Sequence, residues 1–224
     1  MLILLLRGGL GNQLFIYGAY QYFLSLNYSV AIDDSYGFEN DYRYKRKNLL
    51  FIFNLKYKRI QFDISLIWRI IDRFKVNSNY LGFSNNYFQE SKYLDFIDID
   101  FSPNVDRICI HVRIKDYSLK IEETNYVKMI EKSLSLYPNY PIYFITDDVN
   151  YLKNNMRLLS EYGQFLELSE LDSFKFIAES AVTILSDSSF SFCSAYLGRE
   201  KVIIFERFTN ILTNGKKQHK WINY

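Results

Sequence analysis

The chain has 224 residues, of which 49% are hydrophobic and 18% aromatic. That composition can bury a sizeable core and is too apolar for an intrinsically disordered chain. Its 27 Lys and Arg against 25 Asp and Glu leave a formal charge of +2, which excludes the dominant basic surface that binding a phosphate backbone requires, so no nucleic-acid partner is expected.

The opening Met1 to Leu6 is apolar and stops at Arg7. It lacks a basic leader and is too short for a signal peptide or a membrane span, so from Leu2 it reads as a buried strand. Gly8, Gly9 and Gly11 break that run. From Asn12 onward Phe15, Ala19, Tyr22, Phe23 and Leu26 recur at helical spacing, which gives a strand, a glycine turn and a helix in one unit. Val30 to Ile32 returns as a strand, whereas residues 33–106 mix aromatic and basic pieces without a clean period and are assigned to the first half of the chain. Beyond Pro103 the alternation is regular. Arg107 to Val112 is strand-like, Tyr126, Ile130, Leu134 and Tyr137 mark a helix, and Pro141 to Ile145 makes the next strand. Ser169 and Asp172 have capping-box spacing before a helix bearing Leu171, Phe174 and Ala178, and Val182 to Leu185 follows as a strand. Ser189 is placed to cap a further helix that runs to Leu197, Gly198 to end it in a left-handed conformation, and Lys201 to Phe205 to form the final strand.

Repeated strand and helix predict an α/β fold with parallel sheet, right-handed crossovers and ligands at the carboxyl ends of the strands. No repeat or long linker is visible, so two lobes would be joined by a short segment near Phe101 to Asp106. Cys109 and Cys193 lie in apolar stretches without CxxC spacing and read as buried, reduced thiols. With no longer apolar run, they point to a cytoplasmic protein.

Four constellations carry candidate chemistry. Gly8-Gly9-Leu10-Gly11-Asn12-Gln13 sits where a strand enters a helix. It is either a tight turn or a substrate loop whose amides and helix N–H groups meet sugar hydroxyls or phosphate oxygens. His111, Arg113 and Lys115 alternate at a strand end, so His111 and Arg113 should project to one face and Val112 to the core. Arg113 is suited to a diphosphate, with an ion pair to Asp116 as its structural alternative. Asp147 and Asp148 follow the strand Ile142 to Ile145 and could grip a ribose, a base or a metal, or simply cap a helix. Ser186-Asp187-Ser188-Ser189-Phe190 opens a helix and forms a second candidate anion cradle. The basic pieces Lys56 to Arg59 and Lys216 to Lys220 read as solvated loops, with weak contact to an anionic membrane surface as the alternative.

In order along the chain, GGLGNQLFIYGAYQYF, HVRIKDY, FITDD and SDSSFSFCSAYLG resemble the GGLGNQ, HxRRxDY, FSDD and SNSSFSWW segments of family 11 glycosyltransferases, the alpha-1,2-fucosyltransferases. Asn48 to Phe53 and Tyr87 to Tyr93 resemble weaker family segments. The resemblance implies a GT-B-like architecture of two Rossmann-like lobes facing a cleft. Residues 1–104 would form the acceptor-side lobe and 105–224 the donor-binding lobe. It implies GDP-fucose as donor, a galactose-containing glycan or its lipid-linked precursor as acceptor, inversion at the fucosyl carbon, and no metal or other cofactor. By the same carry-over Arg113 would hold the donor diphosphate, His111 and Asp116 would shape that strand end, and Ser188 with Ser189 would contact the nucleotide. Gly9, Gly11, Asn12 and Gln13 would face the reacting sugar. The chain departs from the family pattern at Ile114, Lys115 and Asp187, where the family has arginine, glycine and asparagine, and at Phe192 and Cys193, where it has tryptophans.

Overall fold

The structure is a computed structural model. It describes residues 1–39, 41, 42, 44–60, 63–74, 82–102, 104–115, 121–199, 201–205 and 219–223. These fall into two compact units, the first built from Met1–Ile99 and the second beginning at Asp100.

In the first unit β1 (Leu2–Leu5) runs into α1 (Leu10–Ser25), and β2 (Val30–Asp33) pairs parallel to β1 from Leu2 opposite Val30 to Leu5 opposite Asp33. Then come α2 (Tyr36–Glu39), a 3-10 turn over Leu50–Phe53, α3 (Ser65–Phe74), β3 (Phe83–Ser84) and α4 (Ser91–Leu94). The sheet order is β2-β1-β3. Because β1 is central and parallel, both its faces are covered and its sequence is a continuous apolar run. Ile3 and Leu5 pack with Tyr36, Ile64, Trp68 and Ile71, while Leu4 is wholly buried. From Leu10 to Tyr20 every residue of α1 except Asn12 is buried, whereas the sequence pattern suggests one apolar stripe. Gly18 is required by close approach, since a Cβ there would collide with the Tyr93 carbonyl of α4. Asp33 closes the strand end from inside, accepting from the buried Trp68 Nε1 at 2.6 Å and from Ser35 Oγ at 2.7 Å.

Among the described residues the second unit is built on one six-stranded sheet. Its strands are β4 (Val105–Val112), β5 (Ile142–Thr146), β6 (Gln164–Leu166), β7 (Ser180–Ile184), β8 (Val202–Phe205) and β9 (Lys220–Asn223), all parallel in the order β6-β5-β4-β7-β8-β9. The helices are α5 (Glu123–Leu136), α6 (Val149–Asn155), α7 (Glu170–Ala178) and α8 (Ser189–Leu197). The chain steps from β4 outward to β5 and β6, then returns to the other side of β4 for β7. The order therefore reverses between β4 and β7, where the crevice of an open α/β sheet lies. Ile108, Ile110 and Val112 of β4, Phe144 of β5 and Val182 and Ile184 of β7 form the core with Tyr126, Met129 and Ile130 of α5.

Several boundaries differ from the sequence reading. The last strand among the described residues is β9, beyond the expected final strand at Lys201 to Phe205. Ser169 caps α7 as expected, accepting from Asp172 N at 3.1 Å, while its own hydroxyl donates to Asp172 Oδ2 at 2.6 Å. Gly198 is not left-handed, with φ of −62°. Glycine is needed there because a Cβ would strike the Ala178 carbonyl and approach Lys201 Nζ to 2.8 Å. Cys109 and Cys193 are free and buried, and burial pushes the Cys109 thiol up to about 12.

Candidate functional site

At the reversal point β4 and β7 end side by side, because Ile110 pairs with Ile184 in parallel register. Past β7, Ser186 turns the chain into α8. Its hydroxyl reaches back to His111 of β4, with Nδ1···Oγ at 2.6 Å. Ser191 lies beneath the same turn and contacts Ser186 O and Ser188 O, each at 3.2 Å. Ser188, not the expected Ser189, is the cap of α8, accepting from Phe190 N at 3.3 Å. A one-residue shift of this kind follows from the equal capping ability of adjacent serines. The result is a buried hydroxyl floor, Ser186 and Ser191, under a half-buried rim of Asp187, Ser188, Ser189 and Phe190. The first N–H groups of a helix have no backbone acceptor within it, so apart from Phe190 N, which Ser188 Oγ takes, this rim offers donors to an anion.

Across the crevice Arg113 follows β4. Asp147, at the end of β5, holds it in place through NH1 to Oδ2 at 3.1 Å. The same carboxylate accepts from Ile114 N at 2.8 Å and Lys115 N at 3.1 Å, so it fixes the turn after β4 as well as the guanidinium. A planar guanidinium can serve a carboxylate and a phosphate together because its five donors fan out in one plane. Asp148 caps α6, accepting from Tyr151 N at 2.9 Å. Asp148 thus realises the helix-cap reading, whereas Asp147 caps no helix and ties down the loop after β4. Lys115 is exposed and Asp116 lies outside the described residues.

His111 is placed differently from the expectation that it would share an open face with Arg113. It is 3% exposed, with its ring 5.6 Å from that of Phe190, which in turn packs on Phe174. The alternation is as expected and Val112 does point to the core, but the start of α8 covers the other face. His111 therefore braces the cradle from below. Burial first, and then the charge of Arg113, pull its pKa down to about 3, so it is neutral at physiological pH. An unfolded chain would take up a proton near 6.5 that the folded chain refuses until about 3, so stability contributed by this site is intact above 6.5 and lost as pH falls through that window. Denaturant titrations between about pH 6 and about pH 4 should show His111→Asn with an acid-side slope shallower than the parent's by about 1 kcal/mol per pH unit. Equal slopes would place the titration elsewhere.

In the first unit the glycine loop begins at Gly8, whose φ of +80° favours glycine. Gly9 is the cap residue of α1 and makes no side-chain cap bond, and Gly11 lies buried in the first turn. Asn12 Oδ1 accepts from Gln89 Nε2 at 2.8 Å. Gln13 is completely buried and donates to Gly8 O at 2.9 Å and Lys47 O at 2.8 Å, while Leu49 N donates to its Oε1 at 2.8 Å. The structure thus uses Gln13 as a clasp between the loop and residues 47–49, in place of the direct ligand contact expected of it. Arg46, which sequence reasoning passed over within the aromatic and basic stretch, comes within 3.9 Å of where a Gly9 Cβ would sit. It also stacks over Tyr44 at 4.0 Å and pairs with Asp41 at 3.6 Å. Of the run Lys56 to Arg59, Arg59 is committed to Asp34 at 2.7 Å. In the second basic run, Lys216 and Lys217 lie outside the described residues. Among the described residues no group of three or more His, Cys, Asp or Glu is placed to hold a metal, and no helix is long and apolar enough to cross a membrane.

No protein-family model matches the chain, and no curated protein matches it in sequence. Among solved structures, E. coli ADP-heptose lps heptosyltransferase II aligns with 100% of this chain and 90% of its own, at a TM-score of 0.51 and 10% identity. NodZ alpha-1,6-fucosyltransferase soaked with GDP-fucose aligns over 93% of this chain and 96% of its own, with a TM-score of 0.48 and 15% identity. E. coli heptosyltransferase WaaC with ADP covers 94% and 89%, with a TM-score of 0.48 and 11% identity. The first likeness is one of fold, and the fold class is α/β with parallel sheets of the GT-B type.

Proposed function

We propose that the chain is an inverting glycosyltransferase that moves L-fucose from GDP-fucose to a galactose hydroxyl, in alpha-1,2 linkage, on a surface glycan or its lipid-linked precursor. The observation that carries the reading is the pairing, at one strand-order reversal, of a guanidinium fixed by Asp147 with a hydroxyl-rich helix start braced by His111. The acceptor oxygen forms a bond to the anomeric carbon as the bond from that carbon to the diphosphate breaks, and GDP departs with the electron pair. Negative charge grows on the diphosphate in that transition state, so Arg113 and the N–H groups at the start of α8 bind it more tightly there than in the ground state. The acceptor proton passes to a base that this reading leaves unassigned. Asp147 is a poor candidate because its oxygens already serve Arg113 and two backbone N–H groups. Gly9, Gly11 and Asn12 are assigned to the reacting sugar on the motif resemblance, and the reaction is proposed to need no metal.

A second reading keeps the fold and changes the nucleotide sugar, since a fold does not select its donor. One observation favours it: Ile114, where the family resemblance has a second arginine, is 7% exposed and packed into the core of the second unit. Incubation with a panel of GDP, ADP and UDP sugars and galactosides, with released nucleotide and product mass recorded, decides between the two. Fucosylated galactoside from GDP-fucose alone is the expected product. Turnover of another donor, or GDP binding without transfer to any galactoside, would sink the fucosyltransferase assignment.

A further inference from the structure

Gly8 needs its glycine for a φ of +80°, but Gly9 does not, since its φ of −72° and ψ of 172° are open to any residue. Sterics do not require a glycine there either. Beyond its chain neighbours, a Cβ on Gly9 would meet one atom within 4 Å, Arg46 Nε at 3.9 Å, which is ordinary contact. The flank of Gly9 is therefore open space, just past the carboxyl end of β1, the edge of a parallel sheet at which ligands sit.

Arg46 is set at the edge of that space by its neighbours on either side in sequence. Ahead of it Asp41 organises the turn, with its carbonyl accepting from Lys45 N at 2.9 Å and its carboxylate from Tyr44 N at 3.1 Å and Arg46 N at 3.4 Å. Behind it the buried Gln13 ties Lys47 O and Leu49 N to the glycine loop. The guanidinium lies 4.0 Å over the Tyr44 ring, with NH1 3.6 Å from Asp41 Oδ2, and the side chain stays 30% exposed. These contacts fix its plane beside Gly9.

We propose that the space over Gly9 seats the galactose ring of the acceptor, and that Arg46, with Asp41 beside it, donates to the sugar hydroxyls. Neighbouring hydroxyls each donate and accept. A guanidinium beside a carboxylate supplies donors and acceptors together, so the pairing with Asp41 is part of the recognition. Because the guanidinium is already held, little side-chain freedom is lost on binding. A ring lying against the loop backbone also gives Gly9 a reason to be glycine, since a side chain would occupy the same space. The identity of the sugar rests on the proposed transfer reaction, whereas its seat rests on Gly9 and Arg46.

Titration of isotopically labelled protein with lactose, a free β-galactoside, in the absence of donor tests the seat. The Gly9 amide and the Arg46 Nε–H resonances should shift together along one binding curve. Arg46→Gln should weaken binding about tenfold, the worth of one hydrogen bond from a charged donor, and Arg46→Lys should recover part of it. Gly9→Ala should weaken binding as well with circular dichroism unchanged, because nothing in the fold has to move to admit its methyl group. In turnover, Arg46→Gln should raise KM for the galactoside and leave KM for GDP-fucose in place. Lactose that moves neither resonance, a Gly9→Ala chain that binds lactose as the parent does, or the same two shifts with GDP in place of lactose would overturn the proposal. Lactose shifts without fucosyl transfer to any galactoside would remove the transfer reaction and leave the sugar seat standing.

Discussion

Arg113→Ala should lower kcat/KM for GDP-fucose by about 10²- to 10³-fold, the usual cost of removing one preorganised group from a developing negative charge. Most of the loss should fall on kcat, since the interaction strengthens as the diphosphate leaves. The fold should survive: Arg113 is partly exposed, and Asp147 keeps its bonds from Ile114 N and Lys115 N when the guanidinium is removed. Arg113→Lys should recover part of the activity, because an ammonium restores charge but not the planar pair of donors. Steady-state kinetics with the two variants decides the matter. Alanine variants with parent-like kcat and donor affinity would remove Arg113 from the site.

The second large effect concerns stability. Lys201 is 6% exposed, and its ammonium donates to Ile177 O at 3.0 Å, to Ser180 O at 2.9 Å and to Ala178 O. Three carbonyls from the end of α7 and the start of β7 thus converge on one buried cation, in the place where a helix carries its partial negative charge. Lys201→Met keeps the stem and strips the donors. The carbonyls cannot turn to water without unwinding the last turn of α7, and each unsatisfied group costs about 1 kcal/mol or more. The expected loss is about 3 kcal/mol, or a Tm lower by about 6–12 °C for a chain of this size. A change under about 1 kcal/mol in urea unfolding would show that desolvation of the ammonium cancels its three bonds.

How far the residues announced this structure depended on how local each cause was. The strand, glycine turn and helix from Leu2 to Ser25 and the alternation from Val105 to Leu197 are set by period and turn chemistry, and they were legible. β3 has two residues and β6 three, too few to show a period, so neither was visible. α3 separates its charged residues, Arg69, Asp72 and Arg73, from the buried Trp68 and Ile71, so its pattern was legible, and it was missed because residues 33–106 were read as one stretch without a clean period. The placement of Arg113 just past β4 and of the serines at the start of α8 was readable from spacing. The burial of His111 was not, because it depends on Phe190 and Ser186, far along in the chain. Gln13 is the same case in the first unit, with its amide spent on Lys47 and Leu49. Such roles are decided by tertiary neighbours, and a motif shows only that the residue is there.

The central claim is that one diphosphate is gripped jointly by the β4 end and the α8 start. Titrating isotopically labelled protein with GDP and following the Arg113 side-chain N–H with the backbone amides of Ser189 and Phe190 tests it directly. All three resonances should shift together along one binding curve, and guanosine without phosphates should leave them in place. Shifts confined to one side of the crevice, or equal shifts with guanosine, would contradict it.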